Sequence, residues 1–309
     1  MVKFIDDEKD NYGVESICRI LPIAPSTYYR IKDEQENPEK QSRRKQSDKH
    51  LIEQIKQIWQ DSGCRYGIRK VWNKLKQEGL PKLGRCTVER LMRKLGIQGV
   101  WRGKGKITTK QRDDQDKPAD LVKRNFTADT PNKKRLLRSS APQVADFTYI
   151  KTKTGWVYTA FVIDVFKRVI VGWKVSNRMD TQLVLDALNQ ALDARGRPSG
   201  VIHHSDKGSQ YLSIKYGERL KQSGLAASVG TTGDSYDNAL AESVNGLYKA
   251  EVIGYLKQEW NGVNDVALAT LDWVHWYNYE RLHSTNGYVS PIDAENIYYC
   301  SLIPSGYVA

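Results

Sequence analysis

From residue 144 onward the chain sets three strand-like runs directly one after another, and no other feature limits its fold as tightly. They are Val144 to Lys153 (VADFTYIKTK), Trp156 to Phe166 (WVYTAFVIDVF) and Arg168 to Ser176 (RVIVGWKVS). A Thr-Gly turn joins the first two, so the three runs are expected to form an antiparallel meander. The apolar period then changes. Leu183, Leu185, Leu188 and Leu192 mark a helix, VIHHSD a short strand, Ile214 to Ser223 a helix, LAASV another short strand, and a further helix begins near Asp237.

Three hairpin-linked strands followed by alternating helices and strands point by analogy to an α/β, ribonuclease H-like core: a mixed five-stranded sheet with flanking helices. That core is expected over residues 142–258, with a C-terminal helical extension over 259–309. The extension contains the aromatic run VALATLDWVHWYNY, whose Trp273, Trp276 and Tyr277 sit at helical spacing and are expected in the interior rather than stacked on bases.

The first half of the chain differs in kind. Residues 1–140 hold 33 Lys plus Arg against 19 Asp plus Glu, whereas residues 141–309 hold 15 against 17. The whole formal charge of +12 therefore comes from the first half, as suits a surface that neutralises phosphates and binds DNA in a salt-dependent way. Val14 to Lys32 reads as helix, Pro-marked turn and helix, a helix-turn-helix-like segment assigned with its linker to residues 1–48. An all-helical DNA-binding domain is expected over 49–100, with helices at Leu51 to Gln60, Gly67 to Glu78 and Thr87 to Leu95. The last of these would expose Arg85, Arg90, Arg93 and Lys94 on one face, as a helix in a major groove does; the competing reading is a bundle with a solvated basic face. Residues 101–141 lack periodicity and read as a basic linker.

Several function classes drop out. No apolar run approaches the roughly 20 residues of a membrane-spanning helix, and the charged start MVKFIDDEKD lacks the apolar stretch of a signal peptide, so a cytoplasmic location is expected. Cys18, Cys64, Cys86 and Cys300 form no CxxC pair, against a zinc knuckle or a disulfide framework. GVWRGKGK lacks the GxxxxGK[ST] spacing of a phosphate-binding loop.

Three carboxylates fall where this architecture would gather them: Asp146 on the first, central strand, Asp206 at the end of the fourth, and Glu242 in the helix after the fifth. Such a set has the chemistry to hold two Mg²⁺ or Mn²⁺ ions about 3.5–4 Å apart, one activating an attacking oxygen and the other stabilising a leaving oxygen of a phosphodiester. Asp164, inside AFVIDVF, competes for that role but is read as structural, needing a buried partner or capping the turn to Lys167 and Arg168. Asp234 and Asp237 are read as caps of the Glu242 helix. Lys249, seven residues after Glu242, shares its helix face about 10 Å along the axis and could hold a phosphate; without further information it would pair with Glu251 or solvent. His204 is weighed equally as a residue supporting the site and as a packed strand histidine, and Asn238 as a DNA contact or a stabiliser of the helix start. Ser205, Gly208 and Gln210 are expected to shape the turn that presents Asp206.

The strings VADFTYI, FVIDVFKRVIVGW, HHSDKGSQY, TTGDSYDNALAES and WYNYERLHS, preceded by VESICRILPIAPSTYY and CRYGIRKVWNKL, resemble the catalytic second reading frame of the insertion sequence 3 family of bacterial transposases over nearly the whole chain. The resemblance implies a metal-dependent DDE transposase that cleaves DNA and transfers strands, with Asp146, Asp206 and Glu242 as catalytic and metal-binding residues and Lys249 as the accompanying basic residue. It also implies Arg281 and His283 as DNA-contact candidates, element ends and target DNA as partners, a circular intermediate, and a nucleoid-associated homo-oligomer. It further implies joint action with, or fusion to, an upstream-frame product. Two features depart from the family pattern: Gln143 stands where an aromatic residue is usual, and KKRLLRSSAP (133–142) reads as an insertion or scrambled segment. Both leave room for a catalytically impaired DNA-binding regulator; a stand-alone nuclease is the third reading.

Overall fold

The computed structural model describes residues 1–102, 118–131, 142–206, 208–230, 238–256 and 259–302, so 133–141 of the departing segment, as well as Asp234 and Asp237, lie outside the described residues. The chain divides into two units, Met1–Gln98 and Gly99–Ala309.

In the first unit, α2 (Val14–Ile20) and α3 (Pro25–Glu36) form the expected helix pair, with Pro25 in the first turn of α3, where its missing N–H costs nothing. An unforeseen helix, α1 (Val2–Tyr12), joins them by burying Ile5 against Ile17, Cys18 and Tyr28. Its sequence carries six charges among eleven residues and a single fully buried side chain, too thin a stripe to read as a period. Next come α4 (Arg43–Asp61), capped by the Ser42 hydroxyl, α5 (Ile68–Gln77) and α6 (Arg85–Leu95). Leu51, Ile55, Ile58, Val71, Leu75, Val88, Leu91 and Met92 are buried along these helices.

The second unit is a ribonuclease H-like fold. Its sheet runs β3-β2-β1-β4-β5, built from β1 (Gln143–Thr152), β2 (Gly155–Asp164), β3 (Ile170–Ser176), β4 (Ile202–Ser205) and β5 (Ala226–Val229). The first three strands pair antiparallel, and β4 joins β1 in parallel before β5 extends the sheet. Helices α7 (Thr181–Ala194) and α8 (Ile214–Gln222) cover one face. Gly172 lets β3 approach α7 closely, since a Cβ there would fall 2.1 Å from the Ala187 carbonyl oxygen. The other face receives α9 (Ala239–Tyr248), a π-helical turn at Lys249–Gly254 and α10 (Val263–Tyr279). There Phe161, Tyr248 and Trp273 pack edge-to-face with centroids 5.2–5.8 Å apart. Trp273, Trp276 and Tyr277 are all buried, as their spacing indicated.

The loss of the aromatic residue at 143 is filled by a polar chain. Gln143 is buried, and its Oε1 lies 3.2 Å from His203 Nδ1, while the Tyr216 hydroxyl lies 2.7 Å from His203 Nε2. A neutral imidazole protonated on Nδ1 satisfies both contacts, donating to Gln143 and accepting from Tyr216. Burial and the neighbouring His204 push the His203 pKa down to about 3, in keeping with that neutral ring.

Asp164 is structural, as expected of a charge amid apolar neighbours. It is fully buried, pairs with Arg195 at 2.8 Å and accepts from the Phe166 N–H at 3.0 Å. Arg195 also forks onto both oxygens of Glu295 at 2.7 and 2.9 Å, which fastens α11 (Pro291–Ser301) to the sheet. Removing that cation would take the ion pair from two buried carboxylates at once. Arg195→Leu is therefore expected to lower unfolding free energy by about 3–5 kcal/mol, read from the midpoint of a urea transition; a loss below roughly 1 kcal/mol would contradict the buried triad.

Candidate active site

Asp146 sits four residues into β1, on the sheet face that α9 covers. Its Oδ1 accepts from the Phe147 N–H at 2.8 Å and its Oδ2 from Asn245 Nδ2 at 2.8 Å. Asn238 donates to the Ala145 carbonyl at 3.0 Å, one residue away. Residues 238, 242, 245 and 249 recur at helical spacing, so a single stripe of α9 and the turn after it faces β1, with the two asparagines acting as clamps on either side of Glu242. Asn238 thus steadies the start of α9 against the strand.

Asp206 follows β4 directly, where parallel pairing with β1 ends. The Gly208 N–H donates to its Oδ1 at 3.0 Å, and a Cβ at Gly208 would lie only 3.0 Å from that oxygen and 3.2 Å from Gln210 Oε1. Gly208 shapes this turn by leaving room for both groups. Gln210 is buried and reaches the Met179 carbonyl at 3.4 Å, while Ser205 is the last residue of β4. Glu242 lies in the first turn of α9 and is exposed.

Burial and the negative charge of Asp206 hold the Asp146 carboxyl well above its ordinary range, with Glu242 adding a smaller push; the Phe147 and Asn245 hydrogen bonds oppose this. Burial also raises Asp206. Tyr211, buried beside both aspartates, is raised by burial, Tyr216, Asp146 and Asp206, and its hydroxyl has no hydrogen-bond partner among the described residues. Crowded carboxylates beside an orphaned hydroxyl are the donor chemistry a hard divalent cation favours. The set is open, however: among the described residues no three His, Cys, Asp or Glu side chains gather closely enough to hold a metal ion. Asp146 and Asp206 fit such an ion in kind, and Glu242 stands at their edge.

The basic candidates divide sharply. Lys249 is exposed and holds its Nζ 4.8 Å over the Tyr149 ring rather than pairing with Glu251. Arg85, Arg93 and Lys94 are exposed on α6, with Arg93 3.2 Å from Glu89. Arg90 is tied to Asp48 at 2.7 Å, which joins α6 to α4. Arg281 and His283 must be corrected: both are buried, Arg281 grips the Glu251 carboxylate at 2.7 and 3.0 Å, and His283 lies 3.2 Å from Arg281 and edge-on to Tyr277. A guanidinium already desolvated and paired has no free face for a phosphate, so this network braces the π-helical turn against α10. His204 likewise proves a packed strand histidine, fully buried, with Nδ1 2.8 Å from the Ser228 hydroxyl and the ring edge-on to Phe126.

Sequence reading missed two residues here. Asn245 lies one turn beyond Glu242, a spacing that could have flagged it. Arg102 donates to the Glu242 carbonyl at 3.4 Å, and its guanidinium atoms would lie 2.5–2.7 Å from a Cβ on Gly246; its place at the start of a stretch whose sequence lacks periodicity gave no such signal.

Family models match three stretches: an integrase core domain at residues 143–235 and again at 223–291, and an HTH-like domain at 46–105. The chain is 49% identical over 302 residues to the transposase for insertion sequence element IS629 of Shigella sonnei, covering 98% of each. It is 31% identical to transposase InsF for insertion sequence IS3A of Escherichia coli K12, covering 95% of this chain and 97% of the relative. Among solved structures, the HTLV-2 integrase catalytic core domain in complex with magnesium covers 48% of this chain and 92% of its own at 19% identity, with a TM-score of 0.38.

The crowded carboxylates set a pH dependence. Because Asp146 keeps its proton to higher pH in the fold than in the unfolded chain, where the value is near 3.8, folding takes up a proton between those values and stability falls as pH rises through the interval. Asp206→Asn removes the neighbouring charge while keeping the acceptor for Gly208. In chelator it is expected to raise the thermal midpoint near neutral pH, with the gain shrinking toward acid; an equal loss at every pH would count against mutual repulsion.

Proposed function

The chain belongs to the insertion sequence 3 family of transposases, and on that footing we propose that it cleaves DNA and transfers strands through the carboxylates Asp146, Asp206 and Glu242. Transposition by an integrase-type enzyme is the activity of such a core; the assignment of the three residues is our reading. What supports it is one arrangement: Asp146 on the central strand, Asp206 just past the end of the adjoining β4, and Glu242 on the helix that Asn238 and Asn245 clamp to β1, although the three come from distant stretches of sequence.

Bound Mg²⁺ or Mn²⁺, two ions in this reading, would activate the attacking oxygen and neutralise charge on the leaving oxygen. The remaining work falls to the protein's own groups. Asn245 holds Asp146 Oδ2 in one orientation, and the Gly208 N–H does the same for Asp206 Oδ1. Lys249 reaches out from the same stripe of α9 to hold a DNA phosphate. In the first unit, Arg85, Arg93 and Lys94 offer cations to the duplex backbone of the element ends, and part of the binding is therefore electrostatic and salt-sensitive. Joining two ends calls for more than one copy on DNA, acting with or fused to an upstream-frame product.

The open arrangement of the carboxylates favours one second reading, a DNA-binding regulator whose core does not turn over. Incubation with DNA bearing the element's inverted ends and Mg²⁺ or Mn²⁺ separates the two. Nicking and joined-end products from the wild-type protein, lost below detection in Asp206→Asn and reduced about 10–100-fold in Asn245→Leu, are the expected result. Salt-sensitive binding with no nicking would support the regulator, and cutting without joining would support a nuclease.

A further inference from the structure

An aromatic surface near the candidate active site is left open to solvent. Trp156 is 50% exposed and Tyr149 39% exposed, and their rings meet edge-to-face with centroids 5.3 Å apart. In the β1–β2 register Trp156 stands opposite Lys151, which is exposed as well. Lys249 closes the group from α9, its ammonium over the Tyr149 ring.

Position gives this group its meaning. Tyr149 lies three residues past Asp146 along β1, about 10 Å at strand rise, and the odd offset sets its side chain on the opposite face of the strand; pairing with β4 ends at Ala145, so from there on the α9 side reaches that face around the strand's β4 side. Lys249 lies seven residues past Glu242, again about 10 Å at helical rise. The contact between Lys249 and Tyr149 shows that the two displacements end at the same place. A ring pair flanked by two cations therefore borders the carboxylates at one end, at a distance of about three stacked nucleotides at 3.4 Å each.

We propose that Trp156 and Tyr149 form a stacking platform for an unpaired base of the DNA strand that enters the Asp146 site, with Lys249 and Lys151 holding the adjoining phosphates. Open aromatic rings interleaved with cations are the means by which single strands are gripped without regard to sequence. A base-paired duplex has no free base face to offer, so the platform selects frayed or already cleaved strands. The inference rests on DNA being the substrate of the core, but not on which residues catalyse.

The test uses the full chain in chelator with a mixed-sequence duplex carrying a single-stranded 3′ tail, in which one tail position at a time is 5-iodouracil or 2-aminopurine. Photocrosslinking is expected at Trp156 or Tyr149 from a narrow window of positions, with quenching of 2-aminopurine at the same positions. Trp156→Ala with Tyr149→Ala should lower affinity for the tailed duplex by at least about fivefold while binding of the blunt duplex stays level. Trp156→Phe, which keeps a stacking ring, should restore most of the affinity and so separates stacking from any loss of fold. Crosslinks confined to other residues, or equal losses for tailed and blunt DNA, would overturn the platform. Triad-dependent nicking that persists beside such a negative result would leave the catalytic reading standing, whereas crosslinks at Trp156 in a chain that never nicks would uphold the platform and remove the catalytic reading.

Discussion

Asp146 is held in a position that its own charge resists. It lies on the central strand with two other carboxylates near enough to raise its pKa, and only the Phe147 N–H and the Asn245 amide oppose that repulsion. Two neutral hydrogen bonds, each of modest net worth, do not offset burial plus two like charges. The geometry is maintained because β1 is paired on both sides, antiparallel to β2 and parallel to β4, so the strand cannot shift to relieve one side chain. Strain of this kind is a common mark of a functional site, where a partner of opposite charge completes the set.

The sheet accounts for two of the acids and α9 for the third. Parallel pairing of β4 with β1 runs over Gln143 to Ala145 and stops, which leaves Asp206 just beyond the end of one strand and Asp146 just beyond the paired stretch of its neighbour. Asn238 and Asn245 then fix the register of α9 by gripping the Ala145 carbonyl and the Asp146 side chain. Behind α9, the Arg281–Glu251 pair and the Trp273 indole, which donates to Glu251 at 3.1 Å, lock the π-helical turn that follows Lys249. The buried charges of this unit thus support the geometry from behind and leave the exposed cations for other partners.

The strands were legible because they depend on local pattern, a two-residue period around a Thr-Gly turn, and Asp146, Asp206 and Glu242 stood out because each lies at or near the end of a recognisable element. The roles of Arg281 and His283 were not legible, because a string of polar residues after an aromatic helix looks the same whether it faces solvent or a carboxylate thirty residues upstream. Only the fold shows that Glu251 lies between them and Trp273. Helix α11 falls within the expected C-terminal helical extension, but what holds it in place was not legible, for a related reason. Its attachment depends on Arg195 reaching Glu295 across a hundred residues, a contact that no window of sequence contains.

Gln143, which departs from the family's pattern, is met by a polar chain, although its Nε2 is left without a partner among the described residues. An aromatic residue at the head of β1 would fill the space with carbon; here a glutamine, a neutral histidine and a tyrosine occupy it as a hydrogen-bonded chain. That chain works only while His203 stays uncharged, which burial ensures by pushing its pKa to about 3. The unfolded chain binds a proton at that histidine from pH 6.5 downward, so this part of the stability is lost on the acid side, while the Asp146 cluster loses stability on the opposite side as pH rises. The two dependences run in opposite directions, one set by the buried histidine and the other by the crowded carboxylates. The raised Asp146 carboxyl marks the face of β1 that α9 covers as the place where a positive charge would be most favourable.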